Sequence, residues 1–282
     1  MDDSSWAAWE GRETLVAGRI DAAPAHLLAA TLDTAFEVKS DELLPALWYW
    51  IYFQPTVATS GLGPDGHPKR GGFLPPIPLE RRMWAGSRVQ FHAALRIGEE
   101  IEKTSKIQKI ARKEGKTGPM VFVTVRRSVR GEHGIAVDEE QDVVFLPMPK
   151  EFRPPSPTRP PKEFAWTMPR PADPVLLFRF SAVTFNAHRI HYDRNYAMTA
   201  EKYPGLVVHG PLQALLLFEA VRERHAGKIP ARFEFRGLQP LFDFDTLTLA
   251  GKPREDGGED LFTVNGRGEI ATQAAIHWKS DG

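Results

Sequence analysis

Along the second half of the chain, apolar and polar positions alternate with a period of two in four stretches, "ARFEFRGL", "DTLTLAGKP", "DLFTVNGRG" and "IATQAAIHWK". Glycine and aspartate turns separate them, the pattern of an antiparallel sheet with one face in a core. Just before them, "HGPLQALLLFEAVRERHAG" (209–227) carries Leu212, Leu215, Leu216, Leu217, Phe218 and Val221, which cover most of a helix circumference. Pro211 suits its first turn, Gly227 its stop, and basic residues gather near its C-terminal end. Such a helix is predicted to be buried.

The first half repeats this order. A helical stretch over 25–36 and the apolar "LWYWIYFQP" (47–55) precede the strand-like "RMWAGSRVQFHAAL", "EEIEKTSKIQKIAR", "PMVFVTVRRSV" and "AVDEEQDVVFLP". Moreover, "VQFHAALRIGEEIEKT" (89–104) lies on "FEFRGLQPLFDFDTLT" (233–248) without a gap, bringing Phe91 onto Phe235, Ile97 onto Leu241 and Glu99 onto Asp243. Internal similarity of this kind points to a duplicated unit. Between the copies, residues 147–174 are too rich in proline for a helix or an inner strand and read as an extended linker. The expected organisation is therefore a first unit over 1–146, the linker, and a second unit over 175–282. The fold class is α+β, each half an antiparallel sheet wrapped around a central helix, the two joined into one sheet.

Composition narrows the function by exclusion. Thirty-six basic residues balance thirty-six acidic ones, so no net field attracts a polyanion, and nucleic acid is not an expected partner. Without cysteine there is no disulfide framework, thiolate nucleophile or sulfur-bound metal. The start lacks the basic flank and apolar stretch of a signal peptide, and the apolar run from Leu212 to Phe218 is too short to span a bilayer, so a cytoplasmic protein without membrane contact is expected. No G-x-S-x-G elbow occurs, and "EGKTG" lacks the leading glycine of a phosphate loop.

Chemistry concentrates in "FSAVTFNAHRIHYDRNYA" (180–197), which reads as a strand end followed by a turn, and in the "HG" pair at 209–210. Histidine titrates near neutrality and suits proton transfer, and Gly210, at a helix start, offers an amide that the helix ladder does not use. Asp193 suits a helix cap for "RNYAMTAEKY" or a partner for His191. His188, His191, Asp193 and His209 are of metal-ligand type, but their spacing fits no standard zinc signature.

These residues, with "YPGLVVHGPLQALLL" after them, resemble the MaoC-type, hydratase 2 group of (R)-specific enoyl-thioester hydratases and dehydratases, which are hot-dog proteins. In that group a strand end leads to Asp-x-Asn-Pro-(apolar)-His-x-Asp, an alanine four residues on, and a His-Gly pair opening the central helix. Here His191, Asp193, Ala197, His209 and Gly210 match it, whereas Asn186 stands in place of the catalytic Asp and His188 in place of Asn. The stretch "GPDGHPKRGGFLPPIPLERRMWAG" (63–86) is similar to the first half of two-domain relatives that act on mesaconyl-CoA-like thioesters, and of mitochondrial type 2 hydroxyacyl-thioester dehydratases.

The resemblance implies reversible hydration of a 2-enoyl thioester with no metal or other cofactor, coenzyme A entering as part of the substrate. A short, branched or carboxylated acyl group such as mesaconyl or itaconyl is expected, and a homodimer is compatible with the reading. His191 is the expected principal acid/base, Asn186 positions the water, and His188 or Asp193 supplies the second titratable group. Gly210 with His209 forms the oxyanion side. Arg70, Arg82 and Arg189 are candidates to grip a carboxylate or the coenzyme A phosphates, because guanidinium forks match such anions. The loop containing Asp65, His67, Lys69 and Arg70 is either a solvated connection or a flap over the thioester, and "LWYWIYFQP" either core or acyl-pocket lining. An acyl-carrier-protein dehydratase and a non-catalytic acyl-CoA binder are the alternatives.

Overall fold

The eight alternating segments become strands and two edge strands join them, ten in one antiparallel sheet, in a computed structural model that describes residues 4–115 and 118–280. In the first half these are β1 (Glu13–Arg19), β2 (Arg81–Phe91), β3 (Glu100–Gly115), β4 (Gly118–Gly131) and β5 (Gly134–Leu146). In the second they are β6 (Trp166–Arg170), β7 (Pro230–Gly237), β8 (Leu247–Pro253), β9 (Glu259–Val264) and β10 (Ile270–Trp278). The helices are α1 (Ser4–Ala7), α2 (Ala22–Leu32), α3 (Pro174–Val183), α4 (Arg194–Thr199) and α5 (Gly210–Arg224). Among the described residues no helix is long and apolar enough to cross a membrane.

The sheet runs β1-β3-β4-β5-β2-β7-β10-β9-β8-β6, so the second half repeats the first in mirror order about the β2/β7 junction. There Val89 pairs with Phe233, and Gln90 and Arg88 pair with Arg232 and Glu234. Val89 and Phe233 are the very positions that the gapless overlay of the two halves equates, so the local two-fold axis passes through that pair. This is a double hot-dog, its two halves fused into a single sheet.

The second half wraps around α5, whose residues 212–221 are all buried. Pro211 sits in its first turn, and Gly227 follows in a left-handed conformation (φ +88°) that only glycine adopts freely. The first half is filled differently. Its helix covers Ala22–Leu32 rather than 25–36, because Asp33 turns left-handed (φ 51°) and ends it. The aromatic run coils as a 3-10 helix over Ala46–Ile51 that buries Leu47, Trp48, Tyr49 and Ile51. The main core is continuous between halves, joining Leu28, Trp48, Val129, Leu212, Phe218 and Phe233.

Two strands lie outside the alternation read from the sequence. β1 is mostly exposed, and β6 falls inside the proline-rich segment, with Pro169 in it. Both are edge strands, where a missing backbone donor is tolerated. The expected strand end at 180–185 is also corrected. Asp173 caps the N-terminus of α3, its carboxylate accepting from the amides of Val175 and Leu176 at 2.9 Å each, with Pro174 at the first position. Residues 180–183 therefore complete a helix, because a short apolar run does not by itself distinguish the two states.

Candidate active site

After α3 the chain turns through Asn186, makes a 3-10 turn over Arg189–His191, and enters α4. The side chain of Asn186 folds back to accept the His188 amide at 3.0 Å, and the Asn186 backbone amide donates to Ser181 O at 2.8 Å. These local bonds aim two histidines into a cleft of about 2010 Å³ between the halves, which Asn186, His209, Gly210, Arg82 and His67 also line.

His191 is buried and donates from Nδ1 to Val207 O at 2.7 Å. That bond fixes the tautomer and leaves Nε2 as an acceptor. Its ring stacks on His209 with centroids 3.6 Å apart and 18° between planes. Burial first, then the proximity of His209 and His188, holds the His191 imidazole well below its usual pKa. At neutral pH it is a neutral base. His209 is lowered to about 3 by burial; its Nε2 lies 2.9 Å from Ser181 Oγ, and its buried Nδ1 has no partner among the described residues. Gly210 opens α5 directly after it, and its amide lies in the first turn, where the helix provides no acceptor.

His188 is held differently. Its Nε2 meets Glu201 Oε1 at 3.1 Å, and the other oxygen of this buried carboxylate faces Arg81 Nε at 3.3 Å. The His188 ring stands edge-on to His191, with centroids 5.4 Å apart, and lies 4.1 Å from His67.

His67 comes from the first half, on the glycine- and proline-rich loop. Its Nδ1 and Asp65 Oδ2 are 3.0 Å apart, and its backbone amide donates to Asp65 Oδ1, also at 3.0 Å. The loop docks on the 186–189 segment, where the Arg189 amide donates to Asp65 O at 2.9 Å. Gly66 (φ +87°) approaches so closely that a Cβ would stand 1.8 Å from Ala187 O. It is thus a flap against the site rather than a solvated connection. Burial lowers His67 to about 3. Burial works to raise the Asp65 carboxyl, but the hydrogen bonds and charge of His67 and the charge of Arg82 outweigh it and hold it at about 2. An ionised carboxylate behind a neutral imidazole results.

Of the three arginines singled out in the sequence, only Arg82 lines the cleft. It donates to Pro68 O at 3.2 Å, and burial lowers it to about 10. Arg70 instead braces the loop, donating to Ile77 O at 2.6 Å and to Glu80 O. Arg189 is engaged by Asp193 Oδ2 at 2.7 Å and by Pro64 O at 3.0 Å. Asp193 itself accepts the Tyr196 amide at 3.0 Å, capping α4, and does not line the cleft. These two side chains satisfy each other, which removes them from substrate contact. The 47–55 run divides its roles: Trp48 is core, whereas Trp50 and Phe53 face the cleft.

Among the described residues, the metal-type donors that converge are those of Asp65, His67 and His188, within 4.8 Å of one another.

Solved structures share this architecture: a MaoC-like dehydratase from Phytophthora capsici superposes with a TM-score of 0.70 at 13% identity, over 96% of this chain and 97% of that one. That likeness defines the fold class. The profile of the hydroxyacyl-thioester dehydratase type 2 family matches residues 47–243, and the chain belongs to this family of hydro-lyases. It is 46% identical to the mesaconyl-C(4)-CoA hydratase of Chloroflexus aurantiacus, across 91% of this chain and 92% of that protein. It is 27% identical to the mitochondrial hydroxyacyl-thioester dehydratase type 2 of Schizosaccharomyces pombe, across 86% and 91%.

Proposed function

We propose that this protein reversibly hydrates a short, branched or carboxylated 2-enoyl-CoA, of the mesaconyl or itaconyl type, to the 3-hydroxyacyl-CoA. The observation that carries this reading is the neutral, tautomer-fixed His191 beside the free amide of Gly210 in the inter-half cleft. In the hydration direction, water oxygen bonds to C3 as His191 Nε2 takes one water proton. The C2–C3 π electrons move toward C2 and the thioester carbonyl, whose developing charge the Gly210 amide receives. The imidazolium of His191 then returns its proton to C2, so the elements of one water are added and no group is left over.

Asn186 can orient the water through its amide but cannot accept its proton. The role of the carboxylate expected there is taken up across the cleft, where His67, backed by Asp65, presents Nε2 as a second acceptor for the water. No metal or other cofactor takes part in this scheme, and the lack of cysteine suits a reducing, cytoplasmic setting.

The experiment is the loss of enoyl-thioester absorbance with crotonyl-, mesaconyl- and itaconyl-CoA. Turnover is expected, and His191→Ala should lower it by about 10²- to 10⁴-fold. Wild-type turnover in that variant would remove His191 from the mechanism, and silence of the native protein on all three would sink the hydratase reading.

A further inference from the structure

Strand alternation places Lys103 and Ser105 of β3, Arg127 of β4, Glu139 and Gln141 of β5 and Ser87 of β2 on one face of the sheet. They form a polar band. On one side of it lies the apolar group that includes Ile101, Val129 and Val137; on the other lie Ile107, Val125, Val123 and Phe145. In the second half the corresponding face is covered by the buried residues of α5. Over the first half α2 and the 3-10 turn carrying Tyr49 and Trp50 pack on the first apolar group, and the cleft extends past them to Lys103, Ser105, Arg127 and Gln141.

The charges in this band do not cancel. Lys103 and Arg127 face a single carboxylate, Glu139, and that carboxylate is already satisfied by neutral donors. Tyr49 Oη and Trp50 Nε1 donate to its Oε2 at 2.7 and 3.2 Å, and Ser87 Oγ donates to Oε1 at 2.6 Å. Among the described residues Lys103 Nζ reaches only Phe53 O, at 3.3 Å, beside the Phe53 ring. Arg127 makes no ion pair among the described residues, and its buried Nε has no hydrogen-bond partner. Gln141, 4% exposed, leaves Oε1 without a partner among the described residues. Burial first, then the nearby Arg127, pushes the Lys103 ammonium down to about 7.

Buried polar groups are almost always paired, and an uncompensated buried cation is costly. Here two cations and an amide stand together, under-satisfied, on the wall of an open cleft. Arg81 and Arg82, other half-buried cations of the cleft, have carboxylates beside them, Glu201 at 3.3 Å and Asp65. Adding one carboxylate to the Lys103–Arg127 band would neutralise its excess charge. It would also accept from both cations and, with the amide turned over, from Gln141 Nε2.

We propose that Lys103 and Arg127 form a subsite on the first half that receives the carboxylate of a carboxylated acyl-CoA. The subsite rests on the reading of the cleft as an acyl-CoA site, and it assigns substrate selection to the half that lacks the His191 loop.

Lys103→Met and Arg127→Met test it by calorimetric binding of succinyl-CoA, butyryl-CoA and coenzyme A, with turnover of mesaconyl-CoA and crotonyl-CoA alongside. Each variant is expected to reduce the preference for succinyl- over butyryl-CoA, and for mesaconyl- over crotonyl-CoA, by about tenfold or more. The melting temperature should stay level or rise, because an unpaired buried charge has been removed. Equal weakening of all three binding ligands would assign the cations to the coenzyme phosphates and overturn the proposal. An unchanged preference, or a drop in melting temperature with no change in preference, would overturn it as well. If the native protein turns over nothing yet discriminates succinyl- from butyryl-CoA through these residues, the hydratase reading falls and the subsite stands.

Discussion

Among the residues of the proposed chemistry, His67 is the one that the motif least suggests. Asn186 uses Oδ1 to hold the His188 amide, so it has become part of the loop's framework. An acid/base group at the water has to come from elsewhere, and Asp65–His67 has the geometry of one. His67→Asn should therefore lower kcat by about 10²-fold with a smaller change in KM, and Asp65→Asn should lower it less. Parallel steady-state kinetics on both variants check this; an unchanged kcat in His67→Asn would return His67 to a purely structural role. The substitution of Asn for Asp is plain in the sequence, but its compensation is not. More than a hundred residues of chain separate His67 from His188, and only folding puts their rings 4.1 Å apart.

At the scale of elements, the flap works because Gly66 lets two loops touch. A side chain there would collide with Ala187 O and would also strain a left-handed backbone. Gly66→Ala is expected to lower kcat/KM by more than about tenfold while shifting the melting temperature by only a few degrees, since a surface loop contributes little to the core. Full activity in that variant would show that docking of the flap is dispensable. Helix α5 shows the opposite case, an element legible from local pattern alone: its apolar circumference, Pro211 and Gly227 predicted its place and burial, and the structure agrees. Edge strands β1 and β6 escaped such reading because their existence depends on partners, β3 and β8, rather than on their own alternation.

Over the whole molecule, the cost of the site is the burial of imidazoles. His191 and His209 are lowered when folded, so below the unfolded-state value of about 6.5 the unfolded chain binds protons that the native state refuses. Stability is unaffected by them above that pH. It should fall as the pH drops toward the folded values, by up to about 1.4 kcal/mol per pH unit for each histidine. Urea melts should therefore show lower stability at pH 5.0 than at pH 7.5, His67 adding to the effect of His191 and His209; equal stabilities would mean that these histidines are protonated in the native state. The sequence by itself determined the duplicated sheet, the buried helix and the His191–Gly210 motif, because each is written in local periodicity or in neighbouring residues. Only the tertiary structure decided that Arg70, Arg189 and Asp193 serve the framework, that His67 joins the site, and that Lys103 and Arg127 share an uncovered face. Those outcomes depend on which distant segments meet and on which charges find partners when they do, and no local pattern encodes either.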